Sequence, residues 1–348
     1  MMPAARPITI VGGGLAGLTL GIGLRQRGIP AIVWEAGHYP RHRVCGEFIS
    51  GRGQDVLSRL GLLELFHQAG SVHANTAAFF LGRAGSPVRP LSKPALCLAR
   101  HAMDALLAGH FRQLGGELCE NSRWREAEFG PGVVRANGRR LQPHAAGSLW
   151  FGLKAHARHV PLAADLEMHG SQSGYVGFCR LRDGVVNVCG LFRRPAGKSD
   201  TPQSWTDVLR GQPGTLLWDR LAGAVFERDS FCSVAGLSLQ PWRSASRTEC
   251  CIGDALTMIP PVTGNGMSMA FEAAEMAIEP LAAYSRGESS WSEARQCVAT
   301  ACDRTFARRL AWARCLQWMM FTPLLRGWPG SVALHSDFLW RTLFTCTR

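Results

Sequence analysis

Lysine is nearly missing from this 348-residue chain: only Lys93, Lys154 and Lys198 occur, so arginine carries the formal charge of +12 left by 38 basic and 26 acidic residues. There is no run of five basic residues and no recognised nucleic-acid motif. The basicity therefore predicts a generally positive surface and no nucleic-acid partner, while leaving room for an anionic cofactor, an acidic carrier protein or a membrane surface. Stretches of about 18 apolar residues are also missing, which predicts no transmembrane segment. The twelve cysteines form no CxxC pair and no Cys/His metal spacing, so no metal site is expected. They read as reduced, mostly buried thiols, as in a cytoplasmic protein. Met1–Val11 lacks a cleavage-type site and runs directly into Gly12–Gly17, so it reads as a core strand, not a leader. No repeat or low-complexity segment is evident.

What is present is 46% hydrophobic and 18% charged residues with 39 glycines, the profile of a turn-rich globular chain. Its length exceeds the roughly 100–200 residues of one domain and predicts two joined domains.

Ile8-Thr9-Ile10-Val11 is a β-branched run, followed at once by Gly12-Gly13-Gly14-Leu15-Ala16-Gly17 and a helical pattern ending near Gly28. This is strand, glycine turn, helix. Gly12 permits the tight turn, Gly14 lets the backbone approach a pyrophosphate, and Gly17 lets helix and strand pack closely. A second strand, Ala31–Trp34, ends at Glu35-Ala36, where the carboxylate stands 23 residues after Gly12 and can accept hydrogen bonds from ribose hydroxyls. An acidic residue there disfavours a 2′-phosphate, but this unit alone does not separate NAD from FAD.

Far downstream, the strand-like Cys250-Cys251-Ile252 leads into Gly253-Asp254-Ala255, Pro260-Pro261 and Thr263-Gly264-Asn265-Gly266-Met267, before a helix expected from about 268 to 284. This arrangement resembles the GD motif of flavoprotein monooxygenases of the para-hydroxybenzoate hydroxylase fold. The resemblance implies FAD, with Asp254 accepting hydrogen bonds from the ribityl chain and the Gly264–Met267 turn setting the next helix's positive end against the flavin. It also implies that Arg100, which opens a helical pattern, reaches the cofactor; otherwise Arg100 covers a sheet edge. Arg43-Val44-Cys45-Gly46-Glu47 resembles the Cys-Gly-Glu segment of geranylgeranyl-reductase-like and halogenase-like relatives, which implies that Arg43, Cys45, Gly46 and Glu47 line the flavin ring. Cys45 beside arginines reads either as a small packing residue or as a thiolate of lowered pKa.

Residues 150–192 read as antiparallel strands with a hairpin at Asp183-Gly184, and Thr76–Leu81 is added to that sheet. Lys154 and His156 share a face of one strand and are candidates, with Glu47, for catalysis: proton donors or anchors for an anionic group, or else solvated strand residues. Tyr175 and Phe178 fall on opposite faces, so one of them at most meets a cavity. The fold expected is α/β: a Rossmann-type FAD-binding domain (1–72, 95–148 and 245–288) interleaved with a substrate-binding antiparallel β-sheet domain (73–94 and 149–244). A C-terminal helical segment (289–348) follows. Within it, Phe306, Leu310, Ala313, Leu316 and Met320 recur at helical spacing with Arg308, Arg309 and Arg314 on other faces, a pattern of packing or of peripheral membrane contact.

Two features of the relatives are not found. The Trp-x-Trp-x-Ile-Pro signature of halogenase-like enzymes is absent and residues 36–92 hold no lysine, which argues against halogenation. The Asp-Gly motif that hydroxylases use for FAD and NADPH has no counterpart at Pro143–Ser148, which puts direct NADPH use in doubt. The expected function is a monooxygenase of secondary metabolism acting on a hydrophobic, aromatic or polyketide-like molecule, free or carrier-bound. Its electrons would come from NAD(P)H or an external flavin or electron-transfer reductase. The competing readings are a flavin-dependent C=C reductase and a non-catalytic FAD-binding maturation partner.

Overall fold

The structure is a computed structural model, and it describes residues 5–125, 129–139, 148–171, 173–195, 204–237, 239, 248–322 and 335–346. The first part of the chain holds β1 (Ile8–Val11), α1 (Leu15–Arg25), β2 (Ala31–Trp34), β3 (Phe48–Ile49), α2 (Arg52–Arg59) and α3 (Leu63–Gln68). It continues through β4 (Val72–Leu81), β5 (Ala84–Gly85), β6 (Arg89–Cys97), α4 (Arg100–Gln113), β7 (Glu117–Cys119) and β8 (Val133–Arg135). Then come β9 (Ser148–Arg158), β10 (Leu166–Gly170), β11 (Gly174–Arg180), β12 (Val186–Pro195), α5 (Trp205–Arg210), α6 (Leu216–Leu221) and β13 (Val225–Ala235). The chain closes with β14 (Cys250–Cys251), α7 (Gly266–Arg286), α8 (Trp291–Phe321) and α9 (Asp337–Cys346).

Five parallel strands in the order β14-β8-β1-β2-β7 make the first sheet. The helix α1 is buried from Leu15 to Leu24, and its small residues explain how: a Cβ on Gly23 would stand 2.2 Å from Ile278 of α7, and one on Gly21 2.8 Å from the Phe111 ring of α4. A helix apolar all round is a buried helix, and α1 is accordingly clamped between its two neighbours.

The second sheet has nine strands, β13-β9-β12-β11-β10-β4-β6-β3 with β5 paired to β4. It was expected to be antiparallel; the β10–β4 pair is parallel, with Leu166 opposite Ala77, so the sheet is mixed. The reason is topological: β4 enters before α4 and β8, and the chain returns to β10 through the first sheet, a crossover long enough for parallel pairing. The Asp183-Gly184 hairpin forms with both residues at positive φ (57° and 72°), the conformation that selects this dipeptide.

Cross-strand register sorts the side chains onto two faces. Leu153, Ala155, Val176, Phe178 and Val188 pack outward beneath α5 and α6, with Leu209, Leu217 and Leu221. Lys154, His156, Asn187, Cys179 and Tyr175 point the other way, toward the segment after β2. In α8, Phe306 and Ala313 are buried as the spacing predicts. Arg309 is not on an outer face, however: it is buried and grips Glu272 of α7 in a two-pronged ion pair at 2.7 and 2.5 Å, which satisfies both charges in the interior. Among the described residues no helix is long and apolar enough to cross a membrane.

Candidate active site

The glycine turn after β1 has three different geometries, each with its own cause. Gly12 sits at φ +116°, and a Cβ there would meet the Ala136 carbonyl oxygen at 2.4 Å; Gly17 would meet the Gly12 carbonyl at 1.9 Å. Those two are glycine because the protein's own backbone fills the space. At Gly14, by contrast, a Cβ would meet nothing within 4 Å. Leu15 and Ala16 open α1 with no capping side chain and no acid in the first turn, which leaves N–H groups and the helix's positive end facing that open space. This arrangement fits a pyrophosphate.

Glu35 closes β2 and is buried. Its Oε2 accepts from Gly13 N at 2.9 Å, its Oε1 accepts from Gly37 N at 2.9 Å and pairs with Arg41 at 2.5 Å. Burial works to raise this carboxyl's pKa, but the Gly37 N–H, Arg41 and Arg43 hold it below the usual range. Ala36, next in the chain, is exposed. The Tyr39 hydroxyl donates to the Gly13 carbonyl and ties the following loop to the turn.

The second glycine motif comes back to the same place. Gly253, at φ +61°, lies so close to the first motif that a Cβ on it would stand 2.9 Å from the Ala16 methyl. The Asp254 carboxylate is half-buried, makes no hydrogen bond among the described residues, and is pushed up in pKa by burial against the pull of Arg139 and Arg100. A half-buried carboxylate that no described neighbour engages fits a ligand that supplies hydroxyls, as the ribityl chain of FAD does. Gly264, at φ +61°, sits against the Phe48 ring, 2.2 Å from where a Cβ would be, and accepts from Ser50 Oγ at 3.4 Å. Asn265 and Met267 are buried, and α7 starts at Gly266 with no acid in its first turn. Asp254→Ala is expected to weaken FAD binding by roughly 1.5–3 kcal/mol, the worth of hydrogen bonds to a charged group, without lowering the stability of the cofactor-free chain. Flavin fluorescence titration and urea unfolding measure the two sides; loss of apo stability with full FAD affinity would make Asp254 a structural residue only.

Between the motifs lies the loop after β2. Arg43 forms ion pairs with Asp104 at 3.4 Å and Glu35 at 3.6 Å. Arg100, mostly buried, holds Asp104 with two prongs at 3.0 Å and lies against Cys45. Asn187 Nδ2 donates to the Cys45 carbonyl at 2.9 Å. Burial raises the Cys45 pKa and Arg100 does not offset it, which favours the packing reading of this residue over the thiolate one. Gly46 has the Phe48 ring 3.0 Å from a Cβ position.

Glu47 is fully buried and adopts φ +61°, uncommon for a residue with a side chain. Its Oε2 lies 2.6 Å from His156 Nε2, and its Oε1 lies 3.2 Å from Lys154 Nζ and accepts from Arg100 N at 2.9 Å. Lys154 Nζ in turn is 3.0 Å from His42 Nδ1. So Glu47, Lys154 and His156 meet in the interior. Burial favours protonating Glu47, but the His156 hydrogen bond and Lys154 outweigh it and keep the pKa low. His42 is lowered to about 4 by burial and by Lys154, so near neutral pH it is uncharged and its Nδ1 accepts a hydrogen bond from Lys154 Nζ. His42 and His101, whose rings lie 4.4 Å apart and tilted by 51°, were not among the sequence candidates; no spacing signal connects them to a strand more than fifty residues on. Although His42, Glu47 and His156 could together hold an ion, the Lys154 ammonium already supplies the positive charge among them.

Beside this cluster the inner face turns apolar. Tyr175, Leu191, Met258 and Val262 pack with Trp150, Met168 and the end of α8, where Phe321 meets Trp150 at 4.6 Å. The buried Tyr175 hydroxyl has no hydrogen-bond partner among the described residues, and burial keeps it protonated. Phe178 faces outward.

The Pro143–Gly147 stretch lies outside the described residues. The turn that does press on Gly12 is Ala136-Asn137-Gly138, with Ala136 N donating to Val11 O at 2.8 Å and Gly138 at φ +78°. Its Asn-Gly pair is a turn signal, but the strand before it, β8, is only three residues long and too short to stand out in the sequence.

Residues 6–145 match the FAD binding domain family. None of the curated protein sequences matches the chain. Among solved structures, the flavin-dependent brominase Bmp2 superposes with a TM-score of 0.75 at 17% identity, over 99% of this chain and 93% of that one. The p-nitrophenol 4-monooxygenase PnpA from Pseudomonas putida DLL-E4 gives 0.74 at 16%, over 99% and 98%. The flavin-dependent halogenase CmlS gives 0.70 at 18%, over 98% of this chain and 68% of that one. With the two glycine motifs in contact and residues 6–145 matched, the chain carries an FAD-binding domain within the fold of flavin-dependent monooxygenases and halogenases.

Proposed function

We propose that this FAD-dependent oxidoreductase is a monooxygenase that oxygenates a hydrophobic small molecule held on the inner face of the second sheet. The observation that carries the reading is the contact of Gly253 with Ala16, which brings both flavin motifs to one place, beside an inner face that is apolar at Tyr175, Leu191 and Met258 and ionisable at Glu47, Lys154 and His156. Gly14, the α1 N-terminus, Asp254 and the Gly264–Met267 turn would hold the cofactor. Bound FAD supplies the redox and dioxygen chemistry. The residues of the chain orient the substrate, exclude water and move protons.

For proton movement the hydrogen-bonded series His156–Glu47–Lys154–His42 runs from a buried imidazole to a half-exposed one. The Tyr175 hydroxyl, a donor without a partner, orients an oxygen of the substrate. The missing tryptophan signature and the missing lysine in 36–92 weigh against halogenation. The turn on Gly12 carries Asn137 instead of an acid, which favours an external reductase as electron donor over direct NAD(P)H use. The reading is tested by oxygen uptake of the FAD-loaded protein, driven by NAD(P)H or by a reductase. Uptake should rise severalfold with a substrate and yield oxygenated product; anaerobic turnover to a saturated product would identify a C=C reductase instead.

A further inference from the structure

Helix α8 keeps one face turned to solvent. Arg304, Arg308, Ala311, Cys315 and Trp318 are all exposed and follow one another at spacings of four and three, which puts them on one side of the helix over about 21 Å. Ala307 and Arg314 flank this stripe and are exposed as well. The other sides of the helix are occupied. Phe306 and Ala313 are buried in the core of the first domain, Arg309 is paired with Glu272, and Leu316, Met320 and Phe321 pack against the apolar part of the inner face of the second sheet.

The charge of the exposed face has one sign. Asp303 is the only acid between positions 294 and 321, and it is half-buried, whereas Arg304, Arg308 and Arg314 are exposed. Trp318 is 64% exposed, and α9, which packs against α8, adds Phe338 at 77% and the exposed Arg341. Trp318 and Phe338 are the two exposed Trp or Phe side chains among the described residues, so the outward aromatic rings gather where the arginines do. Tryptophan settles at a water–lipid boundary because its ring is apolar and its N–H polar, and arginines are drawn to anionic headgroups. Ala307, Ala311 and Cys315 keep the stripe low between its arginines, which suits a fluid surface better than a shaped one.

We propose that the α8 stripe, together with Phe338 and Arg341 of α9, docks the protein on an anionic lipid surface, with the arginines on the headgroups and Trp318 at the edge of the acyl region. Leu316, Met320 and Phe321 stay on the inner-face side of α8, so docking needs no opening of the fold and does not rest on the flavin reading.

The FAD-loaded protein is mixed with vesicles of phosphatidylcholine, or of equal parts phosphatidylcholine and phosphatidylglycerol, and bound protein is separated by flotation. Binding to the anionic vesicles should be roughly tenfold tighter or more, and should fall as salt rises. Because the whole chain is basic, a second pair of arginines serves as control. Arg123 and Arg125 are exposed after β7, at the edge of the first sheet away from β14, the strand that α8 contacts. Arg304→Glu with Arg314→Glu should weaken anionic-vesicle binding roughly tenfold or more with the flavin spectrum unchanged, and Arg123→Glu with Arg125→Glu less than about threefold. Lipids with brominated acyl chains should quench tryptophan fluorescence, and Trp318→Ala should remove most of that quenching. Equal binding to both kinds of vesicle, equal losses from the two charge reversals, or vesicle binding without quenching at Trp318, the result for a stripe that fits an acidic protein, would each overturn lipid docking.

Discussion

Gly14→Val is expected to leave the protein folded and strip it of its cofactor. Position 14 is extended (φ −86°, ψ −172°), a conformation open to any residue, and a Cβ there touches nothing within 4 Å. The added isopropyl group therefore fills the space before the α1 N-terminus that a pyrophosphate needs. The FAD dissociation constant should rise by about 100-fold or more, ~2.7 kcal/mol, while the urea midpoint of the cofactor-free chain moves little. Gly12→Ala supplies the contrast: at φ +116°, with the Ala136 carbonyl 2.4 Å from the new methyl, it should destabilise the chain with or without FAD. A Gly14→Val protein that binds FAD like the wild type would remove the first motif from the cofactor site.

The second large effect concerns Glu47. Its carboxylate joins the loop after β2, the start of α4 and strand β9. Glu47→Ala leaves the Lys154 ammonium buried without its anion, and breaking one side of a buried pair costs roughly 3–5 kcal/mol. Adding Lys154→Met should recover part of that loss, since the orphaned charge goes with it. The pH dependence follows from the direction of the shift. Glu47's folded pKa lies below its unfolded value of about 4.3, so its stabilisation is present above that value and disappears as pH falls through the folded pKa. Denaturation at pH 7 and below pH 4 should therefore show a wide gap between wild type and Glu47→Ala that narrows in acid. A loss under about 1 kcal/mol at neutral pH would mean that the pair is not closed in solution.

Local elements were readable because their causes are local. The β-branched run, glycine turn and apolar helix over 8–25, and the helix of 31 residues from Trp291, follow from side-chain periodicity within one or two turns. The parallel β10–β4 pair was not readable, since pairing direction depends on the path between strands and not on either strand's composition. The same holds for Arg309: helical spacing placed it off the apolar stripe, and only the approach of α7 brought Glu272 to meet it.

What the sequence by itself determined is a dinucleotide-binding frame: the glycines that a pyrophosphate and a helix end require are close neighbours in the chain, as is the Gly253-Asp254 pair with the turn that follows it. What tertiary structure alone decided is the chemistry placed around that frame. His156 reaches Glu47 across 109 residues and Lys154 reaches His42 across 112. No periodicity spans such separations, so which ionisable groups are buried together, and which of them hold a charge, is set only when the second sheet packs against the loop after β2.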